Sequence, residues 1–430
     1  MLSRRRFMSL TAAAAGIPVM RVSAQSGRGV TTRVPASIAR LTSMKDRAKP
    51  ITIDERRGRI ERARRLMADH RLDAIMLTGG TSLRYFTGVR WGTSERLFAV
   101  VLPASADPFC VCPAFEHDRA HEQLALGPIA NADVLTWQED ESPFERVGQG
   151  LKDRNVAAGR IGIEDTTPFV FADRVAAAAP ALRLVSATPV TAGCRMIKDA
   201  HEIALMRLAS QVTYRAYEAV YHALAPGMSQ TDVGALIDAA YARLGFSGDV
   251  SVQVGEYTAL PHGSLTPQTI REGTIVMLDD GCTVEGYWSD ITRTFVLGKP
   301  SDKMRAVFDV VRRAQSAALA AARPGVSLDA LDAAARTVIV DGGYGPGFKY
   351  FTHRLGHGLG MDIHEWPYLA KNNMFGWERT LTLRPGMTFS DEPGIYIPGE
   401  FGVRLEDDLL VTEGGAELLT PPSRSLEQPF

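Results

Sequence analysis

The chain has little of what marks a membrane, disulfide-stapled or nucleic-acid-binding protein. Beyond a short segment at residues 10–20, no apolar run approaches the roughly 18 residues that a spanning helix needs. Four cysteines are too few for a disulfide framework. Lys and Arg number 48 against 49 Asp and Glu, for a net charge of −1, so no basic excess points to nucleic acid. There is no short-period repeat and no low-complexity tract. What is present is 45% hydrophobic residues over 430 positions, enough for two domains with separate cores. Cys110 and Cys112 stand two apart in a predicted strand and share one face, which reads as adjacent core thiols rather than a redox or metal pair.

The first residues read as an address rather than as fold. Arg4, Arg5 and Arg6 precede Phe7, a mild apolar segment from Leu10 to Met20, and then Val22-Ser23-Ala24. Small residues before a cut after Ala24 make residues 1–24 a cleavable export signal. The paired arginines followed by Phe7 resemble the twin-arginine signal. The expectation is a periplasmic or secreted protein, free of the membrane after cleavage. Residues 25–48, rich in Ser, Arg, Thr and Ala without periodicity, read as a linker.

Residues 49–190 alternate helices and strands. An amphipathic helix over Arg56–His70 is followed by a strand at Ala74–Leu77, with further strands at Leu97–Leu102, Pro108–Val111, Arg160–Ile163 and Leu182–Val185. Helices are expected at Arg119–Leu126 and Phe169–Ala179. This is the pattern of an α/β layer domain. Residues 191–430 read differently. A long helix from about Met196 to Leu224 carries a capping box at Asp199 and Glu202, a second runs over Thr231–Leu244, and two more over Lys303–Ala322 and Leu328–Val340. The remainder is rich in β-formers and glycine, giving an α+β half in which helices cover a mainly antiparallel sheet.

One stretch in that half carries chemistry. Ile275 to Asp280 alternates with the period of a strand, Gly281 and Gly286 supply turns, and a second β-rich run follows from Ser289 to Val296. A hairpin there would bring Asp279 and Asp290 to one end of two paired strands. Two acids held together in a half-buried sheet repel and lose hydration unless a cation neutralises them. Farther on, His353, His357 and His364 fall among glycines, Glu392 closes a strand in Glu-Pro-Gly, and Glu406 sits in another β-rich run. Any one of these is ordinarily a capped turn, a core histidine or a surface charge. Four β segments each delivering an acid or imidazole at a constrained point read as a metal site.

With these motifs in view, residues 195–425 resemble the catalytic domain of the pita-bread metallopeptidases, the family of methionine aminopeptidase, Xaa-Pro aminopeptidase and prolidase. The preceding domain resembles the creatinase-type N-terminal domain of its proline-specific members. The resemblance implies a pita-bread catalytic domain preceded by an α/β creatinase-like domain. It also implies two divalent ions held by Asp279, Asp290, His357, Glu392 and Glu406, with Asp290 and Glu406 bridging. Oxygen-rich ligands with one imidazole suit hard or borderline ions such as manganese or cobalt, and the resemblance puts manganese first, the ligands alone not excluding iron, cobalt or zinc. By the same resemblance His262 contacts the substrate or stabilises the intermediate, and His364 donates to the scissile carbonyl or the leaving nitrogen. His353 lies near the residue beyond the cut bond, Arg404 braces the site or binds a substrate carboxylate, and Tyr396 lines the proline pocket. Asp391, beside Glu392, departs from the family pattern and is expected to point away from the metals.

The reading is an exported metallo-exopeptidase, an Xaa-Pro aminopeptidase or dipeptidase acting on peptides with proline in second position, as a homodimer. Its rivals are a metal-dependent hydrolase or lyase of a small non-peptide metabolite on the same fold, and a catalytically inactive peptide-binding module.

Overall fold

The computed structural model describes residues 34–371 and 381–430. The predicted signal segment and the first part of the predicted linker lie outside the described residues. From residue 36 the expected linker is packed instead. It forms a helix Ala36–Ala39 and a 3-10 turn Lys45–Arg47, with Ile38 and Met44 buried. The Met44 N–H donates to Leu244 O at 2.8 Å, tying this stretch to a helix of the catalytic half.

The first half is one mixed six-stranded sheet. Its strands are β1 (Ala74–Thr78), β2 (Ala99–Pro103), β3 (Phe109–Pro113), β4 (Asp133–Trp137), β5 (Gly159–Ile163) and β6 (Leu182–Ser186), in the order β4-β3-β2-β1-β5-β6. β1 to β3 are buried on both faces, which is why they read as nearly continuous apolar runs. Their period-2 alternation divides the core. Ile75, Leu77, Val100 and Leu102 pack on one side, and Ala74, Met76, Ala99 and Val101 on the other. Cys110 and Cys112 fall on the same side, buried and unbridged. Burial, with the Glu116 charge, pushes the Cys112 thiol up to about 12, so both are inert core groups. β4 and the helices Thr81–Thr87, Pro143–Lys152 and Thr188–Arg195 were not expected. They are short, and β4 is only partly buried.

The helix Ile53–His70 begins three residues before its expected start, because Thr52 and Glu55 complete a capping box. The capping box at Asp199 and Glu202 is present, and it places the helix start at Ala200 and its end at Tyr221. That helix packs on Gln230–Leu244, and Asp302–Ala321 packs on Leu328–Asp341. The strands between and after these pairs are antiparallel as expected, but divided among several sheets. β7 (Ser251–Val254), β8 (Ile275–Asp279) and β11 (Arg293–Val296) form one, in the order β11-β8-β7. β12 (His357–Gly358), β13 (Glu365–Tyr368), β14 (Thr388–Asp391), β17 (Asp407–Thr412) and β18 (Gly415–Leu418) form another. β15 (Gly394–Ile397) pairs β16 (Phe401–Arg404).

The expected pairing of the two β-rich runs is present, with an insertion between them and a shorter second strand. β8 pairs β11 with Leu278 against Arg293, and Asp290 lies ahead of β11 rather than within it. Between them a second ribbon, β9 (Thr283–Val284) and β10 (Tyr287–Trp288), turns on Glu285 and Gly286, both at positive φ. Gly281 approaches Ser289 so closely that a Cβ would sit 2.0 Å from its carbonyl oxygen. This contact folds the chain back and returns Asp290 to the end of β8.

Candidate metal centre

Asp279 ends β8, Asp290 leads into β11, His357 opens β12, Glu392 follows β14, and Glu406 stands between β16 and β17. All five line one cavity of about 370 Å3, together with His262, His353, His364 and Arg404. One donor atom each from Asp290, His357 and Glu406 lies within 4.8 Å of the others, and all three residues are buried. His357 Nε2 is 3.3 Å from Glu392 Oε1 and 3.7 Å from Asp290 Oδ2. Its Nδ1 donates to Gly358 O at 3.2 Å, which leaves the Nε2 lone pair for an ion. Asp279 joins through Thr292, whose Oγ1 is 2.5 Å from Asp279 Oδ1 and 2.6 Å from Glu406 Oε2.

The electrostatics favour a cation. Burial, reinforced by Asp279 and Glu392, pushes the Asp290 carboxyl well above its usual range. Burial and the Asp290 charge do the same to Glu406. Converging carboxylates of this kind are costly unless positive charge sits among them. Four carboxylates and one imidazole, converging from separate strands, form a donor set that fits hard or borderline divalent ions.

A supporting layer holds these groups in place. Asp408 accepts the Asp290 N–H at 3.2 Å and the Ser210 hydroxyl at 2.8 Å. Ser390 Oγ accepts the His357 N–H and donates to Glu392 Oε1, each at 3.0 Å. Sequence reading missed Thr292, Asp408 and Ser390, and the cavity-lining Asp280, Arg354 and Ile363. Only the positive φ of Asp280, 90°, marks a local peculiarity, and it is not visible in sequence.

Several expected roles shift. Tyr396 is buried but does not line the cavity. Its hydroxyl lies between His353 Nε2, at 2.8 Å, and Arg404 Nη1, at 3.0 Å. Every nitrogen of Arg404 already has a protein partner: Nε donates to Thr292 Oγ1, Nη1 to Pro261 O and Tyr396, and Nη2 pairs with Asp279. Arg404 braces the site and presents no free fork to a substrate carboxylate. Asp391 is buried off the cavity wall, and burial raises its carboxyl well above the usual range. His364 lies with its ring stacked on His357, centroids 3.7 Å apart. Burial and His357 lower its pKa to about 4, so the ring is neutral at pH 7.

A cluster of donors suited to divalent ions between antiparallel sheets, with an α/β domain preceding it in the chain, fits a metal-dependent hydrolase, and the comparisons agree. Residues 204–413 match Metallopeptidase family M24, and residues 59–197 match the Creatinase/Prolidase N-terminal domain. The chain belongs to this metallopeptidase family and is an enzyme of it. It is 38% identical over 352 residues to a probable dipeptidase, PepE, of Mycobacterium tuberculosis, covering 81% of this chain and 90% of that one. It is 32% identical over 374 residues to an Xaa-Pro dipeptidase of Lactobacillus delbrueckii, covering 86% and 98%. Among solved structures it superposes on the dipeptidase PepE of Mycobacterium ulcerans with a TM-score of 0.80, at 35% identity, over 88% of this chain and 99% of that one. An Xaa-Pro dipeptidase from Bacillus anthracis gives 0.74, at 31% identity, over 86% and 99%.

Proposed function

We propose that this metallopeptidase removes an N-terminal residue from peptides with proline in second position. The observation that carries the reading is the single cavity lined by Asp279, Asp290, His357, Glu392 and Glu406 with three further histidines. Relatives named Xaa-Pro dipeptidase support the substrate class.

Asp279, Asp290, His357, Glu392 and Glu406 would hold two ions. The family resemblance implies that Asp290 and Glu406 would be shared between them, and both carboxyls are pushed up by burial and neighbouring acids. Divalent ions held there would supply an acidified water and a Lewis acid for the scissile carbonyl. The chain's own groups do the rest. His364, neutral at pH 7, carries a ring N–H to donate to the carbonyl oxygen or the departing nitrogen. His262 faces the same cavity, where it orients the substrate. His353 is held by Arg354 O and Tyr396 on its two ring nitrogens, and so presents an apolar ring to the residue beyond the bond. Proline fits there because its amide nitrogen has no hydrogen and asks for no acceptor.

Arg404, spent on protein partners, does not select for a free carboxylate, so both dipeptides and longer Xaa-Pro peptides are substrates in this reading. The test compares kcat/KM for Ala-Pro, Ala-Pro-Ala and Ala-Ala-Ala with Mn2+. Turnover of both proline peptides but not the third is expected. Equal turnover of Ala-Ala-Ala, or none of the three, overturns the assignment in favour of a small-metabolite hydrolase. Manganese as the working metal and a homodimer rest on the family resemblance, and export on the arginine pair at residues 4 and 5.

A further inference from the structure

Away from the metal-facing walls, four charged side chains meet at the seam between the α/β domain and the catalytic half. Arg195 ends the helix Thr188–Arg195, and Lys198 follows three residues later. Asp362 and Glu365 flank His364 on the catalytic side. Arg195 Nη2 reaches Asp362 Oδ2 at 2.5 Å and also pairs with Glu365 Oε2. Lys198 Nζ lies 2.8 Å from Glu365 Oε1. Glu365 and Lys198 are buried, with side chains 7% and 1% exposed. Charges this enclosed are held only where partners and geometry are specified.

The same loop is tied from two more directions. Thr81 Oγ1, from the helix that follows β1, donates to Asp362 Oδ1 at 2.5 Å. The Trp288 N–H donates to Gly360 O at 2.8 Å. A Cβ at position 360 would sit 2.3 Å from Glu365 Oε1, so only glycine lets the backbone close over that carboxylate.

His364 contrasts with its flanks. Its ring contact is the stack on His357, and its position in the cavity depends on where the Asp362–Glu365 backbone stands. We infer that Arg195 and Lys198 are positioning residues for His364. The guanidinium holds the carboxylates on either side of the histidine, and the ammonium fixes the second of them from behind. The α/β domain thereby sets the geometry of a group that acts on the substrate. Without Arg195, Asp362 and Glu365 repel each other across His364 and the imidazole moves off its line. This inference rests on the proposed role of His364.

The test is a double-mutant comparison in the metal-loaded full-length enzyme, using the best Xaa-Pro substrate. Arg195→Gln should lower kcat by about 10²-fold, the scale of a misplacement near 1 Å, with KM little changed and metal content intact. Arg195→Lys, which keeps the charge but loses the planar fork, should recover part of that loss. It also carries the comparison if the glutamine variant does not fold. Once His364→Ala has removed the group being positioned, adding Arg195→Gln should cost nothing further in kcat. A second loss of full size in the double variant, unchanged kcat in Arg195→Gln, or a loss matched by departing metal overturns the positioning role. Full activity of His364→Ala instead overturns the reading of His364, and the inference with it.

Discussion

Arg293 and Asp407 pair with neither side chain accessible to solvent, Nη2 to Oδ1 at 2.6 Å. Burial pulls Asp407 towards its neutral form, and Arg293, Thr420 and Gln315 pull it back. The same guanidinium donates to Thr292 O at 3.1 Å and Glu406 O at 2.8 Å, clamping the two backbones that carry Thr292 and Glu406. Asp407→Asn leaves a buried guanidinium without its anion. It should cost about 3–5 kcal/mol, read as a lower melting temperature, and should loosen metal binding. A variant that melts like the wild type would show that the clamp is replaceable.

Removing a carboxylate from the centre should separate metal binding from folding. Asp290→Asn or Glu406→Gln leaves the ions short of one negative charge while the strand hydrogen bonds persist. Each variant should keep its circular dichroism spectrum, lose at least one ion and lose nearly all activity. His364→Ala should keep both ions and lose mainly kcat. Elemental analysis showing full metal in Asp290→Asn would refute the bridging role.

Glu164 lines a second cavity of about 420 Å3 at the seam. Burial pushes its carboxyl from 4.5 up to about 7, against the pull of Ser82 and Arg195. Between those values the native state holds a proton that the unfolded chain has released, so stability falls as pH rises through the window. Glu164→Gln carries no charge and removes this slope. Its melting temperature relative to wild type should climb from about pH 5 to pH 7 and then level off. A pH-independent difference would place Glu164 in solvent.

Export is tested at the other end of the chain. Changing Arg4 and Arg5 to Lys should hold the precursor in the cytoplasm if the twin-arginine route is used. Mature protein outside the cell, still beginning at Gln25, would exclude that route.

The candidate metal ligands were legible because their order and motifs match a known pattern, and all stand at or next to strand boundaries and line one cavity. What surrounds them was not. Thr292 meets Glu406 across 114 positions of sequence, and nothing local distinguishes it from any strand threonine. Tyr396 and Arg404 were rightly placed in β-rich runs, but strand membership does not say whether a side chain reaches the cavity or the layer behind it. Asp279 and Asp290 do meet at one end of paired strands, but the inserted ribbon between them was not legible, because a close approach such as Gly281 to Ser289 is set by tertiary packing. The packed residues 36–48 lacked periodicity, since a single turn of helix anchored by Ile38 and Met44 is too short to show one.

The four cysteines, each buried and none bridged, have a consequence for where this chain can mature. Cys194 and Cys282, like Cys112, are pushed by burial up to about 12, so almost no thiolate forms at neutral pH. With no disulfide to make and no reactive sulfur to protect, the fold is indifferent to redox potential. It can be completed in a reducing compartment and carried unchanged into an oxidising one, with no disulfide isomerase needed on either side.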